Sequence, residues 1–115
     1  MTRTRLSETE IDSLVRDYPG LPTDYLDYLR NTGWGETESG HMIYSGPVSP
    51  SDIYSNGDEM ADIVILGDDF QGFSLAYCFR VRQYGEITDD GEWCPSTDGM
   101  TIIDYATGAP DIDML

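Results

Sequence analysis

Lysine is absent from this 115-residue chain, and arginine supplies all six of its basic residues. Against them stand 22 aspartates and glutamates, a formal net charge of −16 and a pI of about 4.1. No basic patch exists to offset phosphate repulsion, so direct binding to nucleic acid is disfavoured. An anionic lipid surface is disfavoured for the same reason. His41 is the only histidine, and Cys78 and Cys94 are the only cysteines. Two distant cysteines make neither a disulfide framework nor a zinc site. A single histidine leaves a Cys–His or Ser–His–Asp constellation little to build on. Nor does any stretch approach the ~18 apolar residues of a membrane helix. No apolar segment stands behind the arginines of Met1 to Glu8, which argues against a signal peptide. The expectation is a cytoplasmic protein that is not an enzyme and uses no cofactor and no metal.

Apolar material is plentiful. Hydrophobic residues make up 39% of the chain and aromatics 11%, too much for a disordered acidic tail. The length suits one domain, residues 1–115, able to bury a core without disulfides or metals. The acidity fits either a saline habitat or a surface that attracts and accelerates cationic partners.

Ser7-Glu8-Thr9-Glu10 has the form of a capping box. Ile11, Leu14, Val15 and Tyr18 follow at helical spacing as one apolar stripe, which Pro19-Gly20 ends. A second helix is expected from Pro22 at its first position, burying Tyr25, Leu26, Tyr28 and Leu29 and stopping at Gly33. Asp24 sits favourably in its first turn. Beyond Gly33 the period shortens to two. Short strands are expected at 41–45, ended by Gly46-Pro47, and at 62–66, with a helical turn capped by Ser49 over 49–54. Next comes an alternating strand, Phe73, Leu75, Tyr77 and Phe79 facing one way and Ser74, Ala76, Cys78 and Arg80 the other. Val81 to Thr88 continues the meander, Asp89 to Glu92 forms an acidic hairpin loop, and 100–105 makes a last strand. Helices first and strands afterwards predict an α+β fold, two N-terminal helices packed on a mainly antiparallel sheet.

Few segments carry a chemical signature. Gly67-Asp68-Asp69-Phe70-Gln71-Gly72 lacks the ligand spacing of an EF-hand and leads from strand to strand, unlike a phosphate-binding glycine loop. It reads as a tight turn, with aspartates bonded to turn amides and Gly72 at positive φ. A metal-dependent hydrolase using Asp68 and Asp69 ranks last among the functional readings. Cys78, inside an apolar run, reads as a core residue, and His41 as a surface or structural one. Trp34, between two glycines and followed by Glu36 and Glu38, either wedges into the core or presents its ring to a basic partner.

Leu21-Pro22-Thr23-Asp24-Tyr25-Leu26-Asp27-Tyr28-Leu29, followed by Gly33-Trp34-Gly35, resembles the signature of the SUKH superfamily, the Smi/Knr-type domains. Gly67-Asp68-Asp69, Gly72 and the aromatic strand through Tyr77 and Phe79 extend the resemblance over roughly residues 7–88. Phe70 departs from it, standing where a glycine is common after the paired aspartates. The resemblance implies a SUKH-like α+β domain. For bacterial members it implies an immunity protein that neutralises a cognate contact-dependent or secreted toxin, often a nuclease or deaminase. A basic toxin domain would suit the charge of this chain. The expected toxin contacts are Trp34, Glu36 and Glu38, Asp58 and Glu59, and Asp89, Asp90 and Glu92. The alternative is a regulatory scaffold of the Smi/Knr type with an endogenous protein partner. A general mimic of nucleic acid ranks below both, because the acids are scattered between apolar positions.

Overall fold

The computed structural model describes residues 4–37, 40–53, 60, 62–96 and 101–102. Helix α1 spans Glu8–Asp17 and α2 spans Thr23–Asn31. The strands are β1 (Gly35–Glu36), β2 (Met42–Val48), β3 (Ile63–Asp68), β4 (Ser74–Cys78), β5 (Gln83–Ile87) and β6 (Trp93–Pro95). They form one sheet in sequence order, with every neighbouring pair antiparallel. The fold is α+β, helices before sheet, as the patterning predicts.

The capping box forms in full. Glu10 N–H donates to Ser7 Oγ at 3.2 Å, and Ser7 N–H donates to Glu10 Oε1 at 2.8 Å. Ile11 is buried and Leu14 and Tyr18 pack against the core, whereas Val15 lies at the margin of the stripe and is exposed. Pro22 is the N-cap of α2 rather than its first helical residue. Its ψ of 136° is still extended, while its carbonyl accepts the first helical bond, from Leu26 N–H. Tyr25, Leu26, Tyr28 and Leu29 are all buried, and Gly33 closes the helix by donating to the Tyr28 carbonyl.

The sheet buries both faces. Val64, Leu66, Leu75, Tyr77 and Tyr84 join the helices in one apolar cluster. Ile63, Ile65, Ala76, Cys78 and Ile87, alternating with them along the same strands, join Met60 in a second. Two-sided burial explains why the middle of the chain reads as continuous apolar runs. Cys78 is a core residue, as expected, and Cys94 is exposed.

Four further features differ from the sequence expectation. Strand β2 runs through Gly46-Pro47 instead of stopping there. The β2–β3 register shifts between Ile43 and Val48, so the missing N–H of Pro47 falls where the ladder is already interrupted. Ser49 precedes a short 3-10 turn, Pro50–Asp52, but its side chain does not cap it and meets Ser51 Oγ at 2.9 Å. Strand β6, only three residues long and ending in proline, has no alternation to reveal it. Thr101 is irregular and the backbone at Ile102 is helical, not extended, and residues 100 and 103–105 of the expected strand lie outside the described residues.

The packed face holds three tyrosines whose protons the fold retains. Burial raises the hydroxyl pKa of Tyr25 and Tyr84 well above the ordinary 10.0, and the adjacent Asp24 carboxylate adds to the effect at Tyr84. Tyr77, edge-on to Tyr84 with ring centroids 5.3 Å apart, is raised mainly by burial as well. A raised tyrosine pKa stabilises the folded state fully below pH 10. Above that, the unfolded chain releases protons that the folded chain keeps. Stability is therefore expected to fall above pH 10 by up to about 1.4 kcal/mol per pH unit for each of Tyr25 and Tyr84. Urea unfolding at stepped alkaline pH measures the slope, and Tyr84→Phe should make it less steep.

Candidate protein-binding surface

In a meander of antiparallel strands, alternate connections emerge at the same end. The β1–β2 loop (37–41), the β3–β4 turn (69–73) and the β5–β6 hairpin loop (88–92) therefore share one end of the sheet. The pairing register locates the rim of that end. Glu36 pairs with Met42, Met42 with Asp68, Asp68 with Ser74, Ser74 with Ile87 and Ile87 with Trp93. Two clusters predicted from sequence, Glu36 on one side and Asp89, Asp90 and Glu92 on the other, thus lie at one end, with Asp68 and Asp69 between them. All but Asp68 and Asp69 are well exposed. Glu38, Asp58 and Glu59 lie outside the described residues.

Arg30, Arg80 and Arg82 are placed elsewhere. Arg80 and Arg82 occupy the 79–82 turn at the opposite end, and Arg80 meets Asp62 at 3.2 Å. Arg30, on α2, bridges Glu8 and Asp27. No arginine occurs in the three loops of the acidic end.

The β3–β4 turn is built by its own aspartates. Asp69 Oδ1 accepts from the N–H groups of Gln71 (2.8 Å) and Phe73 (3.1 Å). Asp68 Oδ1 accepts from Phe70 N–H at 3.0 Å, and its Oδ2 accepts from the Tyr44 hydroxyl at 2.6 Å. These are the amide-bonding roles expected of a tight turn, and Gly72 has the expected positive φ of 100°. The turn touches the neighbouring hairpin, since a Cβ on Gly72 would lie 3.0 Å from that of Asp89.

Phe70 is the residue that sequence reasoning missed. It adopts φ +63°, a left-handed conformation that costs a non-glycine residue about 1–2 kcal/mol, and the residue is 59% exposed. The signal was present in the chain: an aromatic inside an Asp-Asp-x-Gln-Gly turn, where glycine would fit. Phe70, Tyr44 and Ile53 line a depression of about 410 Å³ whose other walls include Asp68 and Asp89. Tyr44 and Ile53 also line an adjoining apolar depression of about 280 Å³, with Trp34, Met42 and Val48. Trp34 packs partly against the core, the first of the two readings offered for it, and also lines this groove.

Among the described residues, no helix is long and apolar enough to cross a membrane. No group of three or more His, Cys, Asp or Glu among them could hold a metal ion. His41 sits at the end of the β1–β2 loop, its carbonyl accepting from Thr37 N–H at 2.7 Å and its N–H donating to Thr37 Oγ1 at 3.0 Å. Comparison with protein-family models, with curated proteins and with solved structures finds no match to this chain.

Proposed function

We propose that this chain is a SUKH-type immunity protein that binds a cognate basic toxin domain, a nuclease or deaminase, and neutralises it by covering its cationic active-site cleft. The observation that carries this reading is the segregation of charge. Glu36, Asp68, Asp69, Asp89, Asp90 and Glu92 gather at one end of the sheet, and the turn bearing Arg80 and Arg82 lies at the other. Such a surface steers a cationic partner and orients it as it docks. The motif resemblance supports the same reading from a separate direction. In this role the protein acts in the cytoplasm by binding, without catalysis and without a cofactor.

The test pairs the chain with candidate nuclease and deaminase toxin domains. Co-expression should restore growth, and calorimetry should show a one-to-one complex that weakens with salt. The combined variant Glu36→Gln, Asp89→Asn, Asp90→Asn, Glu92→Gln is expected to lose about 100-fold in affinity at low salt, with a shallower salt dependence. Growth protection and affinity unchanged by these four substitutions would remove the acidic end from the interface. A tightly held endogenous partner with no protection from any toxin would favour the regulatory scaffold instead.

A further inference from the structure

We infer that the groove between Trp34, Tyr44, Ile53 and Phe70 receives one apolar side chain carried on a basic segment of the protein partner. The inference rests on the acidic end being a protein-binding surface, and it assigns the source of affinity within it. Phe70 carries two unfavourable features at once, a left-handed backbone and an exposed aromatic ring. The ring is not needed for the turn, whose amides are held by the Asp68 and Asp69 carboxylates. Glycine or asparagine would meet the backbone requirement with less strain. Phe70 lines the depression together with Tyr44 and with Ile53, itself 49% exposed.

The charges around the groove select the occupant. Asp68 and Asp89 form part of its wall, and Asp69 belongs to the same turn as Phe70. An apolar side chain flanked by lysine or arginine satisfies both the floor and the rim. This is the arrangement of an interface anchor, a desolvated contact enclosed by polar groups that exclude water. A second copy of this chain would bring its own net charge of −16 against the same carboxylates. Anionic lipid meets the same repulsion.

Two synthetic peptides, Lys-Arg-Trp-Arg-Lys and Lys-Arg-Ala-Arg-Lys, titrated into isotope-labelled protein at low salt, test this. The tryptophan peptide should bind at least about fivefold tighter and shift the amide resonances of Tyr44, Ile53 and Phe70. Phe70→Asn should abolish that difference while leaving the thermal midpoint unchanged or higher. Equal binding of both peptides, with shifts confined to the acidic loops, would overturn the groove and leave the acidic surface standing. No binding of either peptide would sink both. A midpoint lowered by Phe70→Asn would make the ring a structural element and overturn the inference. Groove shifts caused by phosphatidylcholine vesicles but not by the tryptophan peptide would reassign it to lipid. Self-association abolished by Phe70→Asn would reassign it to a second copy.

Discussion

Asp24→Ala is expected to lower the stability of the fold by about 3–5 kcal/mol, a large part of the 5–15 kcal/mol typical of a domain. Asp24 lies in the first turn of α2, where a carboxylate is already favoured by the helix dipole. Its two oxygens also hold two distant parts of the chain. Oδ1 accepts from the Tyr84 hydroxyl on β5 at 2.8 Å, and Oδ2 accepts from Ile102 N–H at 2.8 Å. Ile102 is fully buried, so its amide would be stranded by the substitution. Hydrogen bonds to a charged acceptor contribute about 1.5–3 kcal/mol each, and a buried donor left without one carries its full desolvation penalty. Urea unfolding of Asp24→Ala, Tyr84→Phe and the double variant measures the shared term. A coupling of about 1–3 kcal/mol is expected between them. A single-variant loss below 1 kcal/mol would show that the clamp contributes nothing.

Asp24 also marks how far the sequence can be read. Its place in the first helical turn follows from local spacing, as does the capping box of Ser7 and Glu10, because both depend on neighbours within four residues. Its partners stand 60 and 78 residues away, and no periodicity points to them. The same division runs through the strands. Burial of β3 is visible as an apolar run and the two faces of β4 as alternation, whereas β6 is a three-residue strand paired with β5 and too short to show a pattern. Pro47 looked like a terminator because a ladder position cannot lack its N–H, and only the register shift in β2 reveals that no such position is needed there.

The candidate surface divides likewise. The acidic loops are legible residue by residue, but their convergence is a property of the meander, which places alternate loops together. Phe70 stands between the two cases, since its place in an Asp-Asp-x-Gln-Gly turn is legible whereas its exposure is known only from the structure. The aspartates around it have a double part. They bond the amides of the turn and thereby hold the aromatic ring outward beside the exposed carboxylates of the neighbouring hairpin. One short segment between β3 and β4 therefore carries both Phe70 and two of the carboxylates of the acidic end.

That segment depends on Gly67, and Gly67→Ala is expected to cost about 3 kcal/mol and to lower the thermal midpoint by roughly 10 °C. Gly67 pairs with Ile43 across the β2–β3 ladder, just past the point where Leu66 breaks the register with β4. A Cβ there would lie 2.2 Å from the Met42 carbonyl oxygen and 3.4 Å from the Ile43 Cα. These are backbone atoms, so no side-chain rotation relieves the clash and β2 must move away from β3. The displacement would begin next to the Tyr44–Asp68 hydrogen bond that joins the two strands under the groove. Thermal unfolding measures the stability loss, and the amide shifts of Tyr44, Asp68 and Phe70 in the folded variant report the movement of the surface. Gly67→Ala should thus weaken the tryptophan peptide more than the alanine peptide, because it disturbs the groove and leaves the charges of Asp89, Asp90 and Glu92 in place. An alanine variant with an unchanged midpoint would mean that β2 and β3 are not held as closely as this register requires.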